Sequence, residues 1–186
     1  MSMSRRVVQV WSFGLLVSLL AAPSAYGQAP PEPEGYRHEN YRSQTPVTLK
    51  GAIVIGTAEA EMLWRKGSAA FIDVMPRPER PANLPAETLW HPQPPDSIPG
   101  ATWLPNVGYG EVLPETEAYF RNGLASASKT NFAHPLVFFC RRDCWMSWNA
   151  AKRALSYNYS TVYWYPEGTD GWKDADLPIE KAIKHP

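Results

Sequence analysis

The chain has 186 residues, with 18 Lys and Arg balanced by 18 Asp and Glu. That is length enough for one domain with a real core, and the charge balance argues against a nucleic-acid surface or an adhesive patch for anionic membrane. The 19 prolines say that much of the chain runs as extended loop, and the 8 tryptophans are more often packing than ligand stacking.

Residues 1–27 differ from the rest. Arg5 and Arg6 precede a largely apolar run from Val7 to Ala22, and small residues follow at Ala25 and Gly27. This is the pattern of an export signal cut after Gly27. A retained anchor is the competing reading, but Gln9, Ser12 and Gly14 interrupt the run. Cleavage leaves 16 basic against 18 acidic residues, and nothing downstream apolar enough to span a bilayer. The mature protein is expected free of the membrane in a bacterial periplasm, where two cysteines meet an oxidising pathway.

Residues 28–46, rich in Pro, Glu and Gly, read as a flexible lead-in. The domain proper is expected over 47–186. Ala52–Ile55 is a strand candidate, and Thr57 is placed as N-cap of a helix over Ala58–Lys66 that stops at Gly67. Ala69–Val74 reads as a buried strand ending in an acidic residue. Seven prolines between Met75 and Ser97 exclude a regular element, leaving either a decorative insertion or a lid carrying Trp90 and His91. Ile98–Pro105 is a turn and short strand, and Pro114–Ala127 a helix.

Leu136–Phe139 is a continuous apolar run, the composition of a strand buried on both faces. Trp148, Ala151 and Leu155 share one side of a following helix, with Lys152 and Arg153 turned away. Between them, Cys140 to Met146 form a tight loop holding both cysteines of the chain. A cysteine facing the first turn of a helix sees unpaired N–H groups and the positive end of the dipole, which favours thiolate. Thr161–Tyr165 then reads as a strand, Pro166–Trp172 as a turn-rich loop and Leu177–Lys184 as a terminal helix. Alternating strands and helices predict an α/β layer fold with a mostly parallel sheet, whose sites gather beyond the carboxyl ends of the strands.

Four segments in order resemble a rhodanese-like domain: Ile72-Asp-Val74, Ile98-Pro-Gly-Ala101, Phe138-Phe-Cys140 and Gly168–Trp172. The resemblance implies a three-layer domain with Cys140 as catalytic cysteine. Asp143-Cys-Trp-Met-Ser-Trp-Asn-Ala-Ala-Lys-Arg153 more closely resembles the exported proteins named for a CXXCW motif and associated with PQQ-dependent alcohol catabolism. That implies a role beside PQQ-linked oxidation. Here three residues separate Cys140 from Cys144, so the spacing is not that of a thioredoxin motif. Counting Cys140 as first, Ser147 is eighth, as in the cysteine phosphatases of this fold, but Met146 occupies the place of the phosphate-binding Arg.

Three functions stay open. In a sulfurtransferase, Cys140 holds a persulfide steadied by backbone N–H groups and by Ser147. Arg141 and Arg142 attract an anionic donor, and Asp143, Trp145 and Met146 complete the substrate-facing loop. In a thiol–disulfide protein, Cys140 and Cys144 cycle as a pair, with a quinoprotein dehydrogenase or a cytochrome c as partner. In a binding module, their disulfide is structural and Trp145, Trp148 and Trp172 form a surface or core. A metal site from both cysteines and His134 is not favoured, because His134 need not face Cys140. No cofactor is expected; PQQ enters only through the resemblance. Asp73 is read as a turn-capping carboxylate in preference to a site residue.

Overall fold

The structure is a computed structural model that describes residues 29–186; the expected export signal lies outside the described residues. Leu136–Phe139 (β5), apolar at all four positions and wholly buried, is an inner strand of the sheet. It pairs in parallel with Ala70–Asp73 (β2) on one side and Val162–Tyr165 (β6) on the other. Ile53–Val54 (β1) adds beyond β6, and Thr102–Trp103 (β4) beyond β2. Ile183–Lys184 (β8) closes the order β1-β6-β5-β2-β4-β8, and every pairing in this sheet is parallel.

The two faces of the sheet bury different helices, because successive strand residues point to opposite sides. Phe71, Val137, Phe139 and Tyr165 pack under Thr57–Lys66 (α1) and Gly168–Asp174 (α4), with Trp172 at the centre. Ile72, Leu136, Phe138, Val162 and Trp164 pack under Pro114–Ser128 (α2) and Trp145–Ser156 (α3). This is the expected three-layer α/β architecture. No helix among the described residues is long and apolar enough to cross a membrane.

Local chemistry sets most boundaries. Pro114 opens α2 at a position where a missing N–H costs nothing. Gly67, at φ 58°, ends α1 with its N–H on the carbonyls of Leu63 and Trp64. Thr57 is not the cap of α1: Gly56 holds that place, and the Thr57 hydroxyl instead meets the Tyr165 hydroxyl and the Glu167 carboxylate.

Two further element assignments are corrected. Leu177–Lys184 is not a helix; Glu180–Lys181 (β7) pairs antiparallel with Asp96–Ser97 (β3), and β8 joins the main sheet. A helix of that length starting beside Pro178 makes few internal bonds, and the sheet edges offer more. Gly168–Asp174 is a helix where a turn-rich loop was expected. Residues 29–46, within the segment read as a flexible lead-in, carry no helix or strand, and hydrogen bonds strap Arg37, Tyr41 and Ser43 to α3. Within 75–97, Met75 leads into a stretch without regular structure that ends at β3.

Candidate functional site: the cysteine loop

Cys140 follows β5 directly, at the carboxyl end of an inner strand. Its carbonyl accepts the Thr169 N–H at 2.9 Å and the Thr169 hydroxyl at 3.2 Å. Gly168 makes this possible: it lies at φ 51°, and a Cβ there would sit 2.5 Å from the Cys140 carbonyl oxygen. The loop continues through Arg141, Arg142 and Asp143, the last in the left-handed region at φ 54°, and Cys144 becomes the N-cap of α3.

Cys140 and Cys144 are joined as a disulfide, their Cα atoms 6.4 Å apart, inside the span that such a bond tolerates. Cys140 is 0% exposed and Cys144 2%. The Met75 sulfur lies 3.7 Å from Cys140 Sγ. Met75 is fixed on both backbone sides: its N–H donates to Asp73 Oδ1 at 2.8 Å, and its carbonyl accepts Trp103 Nε1 at 2.7 Å. Asp73, wholly buried, also accepts the Ser97 hydroxyl at 2.6 Å. Burial pushes its carboxyl up to about 6, against the pull of the Ser97 and Met75 hydrogen bonds. It caps the turn after β2, as read from the sequence.

A cleft of about 130 Å³ opens on Cys144, lined by Met75, Pro76, Met146, Arg141, Tyr41, Arg42 and Tyr109. Liquid water takes roughly 30 Å³ per molecule, so the cleft suits a ligand of a few heavy atoms. Tyr41 meets Tyr109 edge-on at 5.3 Å, and its hydroxyl accepts the Gly110 N–H at 3.0 Å. Arg42 donates through Nη1 to the carbonyls of Arg142 at 2.6 Å and Asp143 at 3.2 Å. Burial, and next the nearby Arg141 charge, lower the Arg42 pKa. Arg42 and Arg141 thus bring two guanidinium groups to the cleft, with Asp170 and Asp143 close enough to Arg42 to offset part of that charge.

The residues after Cys144 clamp the strap. The Trp145 N–H donates to the Tyr41 carbonyl at 2.9 Å, and its indole to the Ser43 hydroxyl at 3.1 Å. Trp148 donates to the Thr48 carbonyl at 3.0 Å and packs edge-on against Trp145. Asn149 donates to the carbonyls of Arg37 and Gly108, each at 2.8 Å, and accepts the Arg37 N–H at 2.9 Å. Arg153, expected to face solvent, is buried; its guanidinium reaches the carbonyls of Val107, Tyr109 and Gly110.

Of the residues expected at the site, Cys140, Cys144, Arg141 and Met146 come together at the cleft. Ser147 does not serve Cys140. It lies on the face of α3 turned toward β6, where its hydroxyl accepts Trp164 Nε1 at 3.1 Å and donates to the Cys144 carbonyl at 3.2 Å. Trp145 is buried packing. Arg142 and Asp143 line a separate groove beside Val54 and Glu167, and Arg142 is ion-paired with Asp174 at 2.7 Å. Two loop N–H groups expected to cradle a persulfide are engaged, Trp145 by Tyr41 and Arg142 by Asp170. Trp148 and Trp172 are core, and Trp90 and His91 do not line the cleft. Met75, Tyr41, Arg42 and Tyr109 were missed: Met75 follows the strand-ending Ile72-Asp-Val74, while Tyr41 and Arg42 carry no local signal.

No family model matches the chain, and no curated protein does. Solved structures do. The chain aligns with EanB bound to ergothioneine at a TM-score of 0.50 and 18% identity, over 70% of this chain and 32% of that one. It aligns with the polysulfide-sulfur transferase homodimer of Wolinella succinogenes at 0.46 and 16%, covering 73% and 80%. Human single-domain sulfurtransferase TSTD1 gives 0.41 and 24%, over 66% and 96%. The fold is rhodanese-like. At these identities the likeness lies in the path of the backbone, and the chain spans about a third of EanB, the 32% just given.

Proposed function

We propose that this protein is a rhodanese-like sulfurtransferase whose sulfur-carrying residue, Cys140, is held in reserve as a disulfide with Cys144. The observation that carries the reading is the pairing of these two cysteines at the end of β5, beside a small cleft lined by Arg42 and Arg141 and opening on Cys144. A dithiol reductant delivers two electrons and two protons and opens the pair. The Cys140 thiolate then attacks the outer sulfur of a small anionic donor. With thiosulfate, the sulfur–sulfur bond of the donor breaks, sulfite leaves with the electron pair, and Cys140 carries a persulfide. An acceptor takes that outer sulfur, or the Cys144 thiolate attacks Cys140 Sγ, releasing sulfide and restoring the disulfide.

The likeness of Asp143–Arg153 to the CXXCW proteins supports a periplasmic setting beside PQQ-dependent alcohol oxidation. A small sulfur donor, or a periplasmic redox partner such as a quinoprotein dehydrogenase or cytochrome c, belongs to the same proposal. A second reading, simple thiol–disulfide exchange, is favoured by the engagement of the Trp145 and Arg142 N–H groups, which removes part of the persulfide cradle. Single substitutions separate the two. Sulfur loading by reduced protein requires Cys140 and survives Cys144→Ser, whereas dithiol exchange is lost with either cysteine. Loss of thiosulfate loading in Cys144→Ser would reject the sulfurtransferase reading.

A further inference from the structure

The cleft brings together soft sulfur ligands, and its only hard side-chain donors are the hydroxyls of Tyr41, which is engaged by the Gly110 N–H, and Tyr109. Cys144, Met75 and Met146 line it, Cys140 lies behind with its sulfur 3.7 Å from that of Met75, and no carboxylate or imidazole is among the lining residues. We propose that the reduced form of this site binds one Cu(I) ion through Cys140, Cys144 and Met75.

Ligand chemistry is the first argument. Thiolate and thioether sulfur together select Cu(I), whereas Zn(II) makes little use of thioether and hard cations use oxygen. The second is distance. Two sulfurs bound to one metal at about 2.3 Å, with angles between tetrahedral and trigonal, stand about 3.8–4.0 Å apart. Cys140 and Met75 already lie at 3.7 Å, so this pair needs little movement. The hydrogen bonds of Met75 to Asp73 and Trp103 fix its backbone for that purpose. The third is reach: a Cα separation of 6.4 Å lets the two cysteine sulfurs part by side-chain rotation once reduced, without moving the loop. The fourth is charge. Two thiolates and Cu(I) carry one net negative charge, and Arg42 and Arg141 stand at the cleft to balance it. Burial of both sulfurs shields the ion from water and oxidant.

Loading balances simply. A dithiol reductant first supplies two electrons and two protons to the disulfide. Each thiol then loses its proton as copper enters, so one Cu(I) displaces two protons and stays in the +1 state. The inference goes beyond sulfur transfer and needs only that the disulfide can be opened.

The test uses the mature protein reduced with a phosphine, freed of reductant without oxygen, and titrated with Cu(I) buffered by bicinchoninate. Reduced protein is expected to withdraw one equivalent of copper, and disulfide protein none. X-ray absorption of the loaded protein should show three sulfur neighbours near 2.3 Å. Met75→Leu should show two, with copper affinity at least about tenfold lower and the thermal midpoint of the oxidised form little changed. Failure of the reduced protein to compete for copper would overturn the proposal. So would a wild-type site with only two sulfurs, a result that does not depend on the variant folding. Sulfur loading of Cys140 is read separately with thiosulfate, so either idea can fail alone.

Discussion

Asn149 is the residue through which the strap most directly depends on α3. Its side chain is 0% exposed and makes three hydrogen bonds, two to Arg37 and one to Gly108. Asn149→Ala removes all three. A lost bond of this kind costs about 1 kcal/mol net, and a buried group left unpaired about 1–3 kcal/mol. The Gly108 carbonyl is buried and pays the larger amount, whereas the Arg37 groups lie closer to solvent and recover water. The expected loss is about 3–4 kcal/mol in urea unfolding at neutral pH. Asn149→Asp should cost more, because its carboxylate faces two carbonyl oxygens, and should recover part of the loss as acid protonates it. Release of Arg37 also loosens Tyr41 and Arg42, so the disulfide should react faster with small reductants in both variants. A change in stability below about 0.5 kcal/mol, with unchanged reduction rate, would refute the view that Asn149 anchors the strap over the site.

Gly168→Ala places a Cβ against the Cys140 carbonyl at a left-handed backbone position. It should cost about 2–4 kcal/mol by chemical unfolding and shift the equilibrium of the disulfide with a glutathione buffer. An unchanged redox equilibrium would show that the Gly168–Cys140 contact does not shape the loop. Asp73 titrates near 6 in the fold against an ordinary value of 3.8, so the folded state binds the extra proton between those pH values. Its contribution to stability is full below pH 4 and is lost as pH rises through 6, on the order of 3 kcal/mol. Asp73→Asn should flatten that part of the stability profile; parallel wild-type and mutant curves from pH 4 to 7 would contradict the burial argument. Cys144→Ser should leave a long-lived persulfide on Cys140 after thiosulfate, detectable by intact mass, where the wild type returns to the disulfide.

The strand, loop and helix around the cysteines were legible because their signals are local. Four apolar residues in a row at Leu136–Phe139 demand burial, and the spacing of Trp148, Ala151 and Leu155 marks a helix face. What the sequence withheld depends on partners far along the chain. Ser147 has the right spacing from Cys140, but its direction on α3 is decided by Trp164 on β6. Arg153 looked solvated because no local feature announces the carbonyls of Val107, Tyr109 and Gly110. The composition of 28–46 suggests freedom, yet Asn149 and Trp145, more than 100 residues on, hold this segment across the cleft. β7 and β8 exist through edge pairings that an amphipathic eight-residue pattern does not reveal.

The most direct measurement is the intact mass and thiol count of the isolated protein, wild type and Cys144→Ser. It is made as isolated, after mild reductant, and after thiosulfate is added to the reduced form. Gated sulfur transfer predicts no free thiols in the wild type at first and two after reduction. After thiosulfate it predicts a return of the wild type to the disulfide with release of sulfide, whereas Cys144→Ser gains about 32 Da, one sulfur atom, on Cys140. A disulfide that resists reduction, or a Cys144→Ser protein that takes up no sulfur, would contradict it.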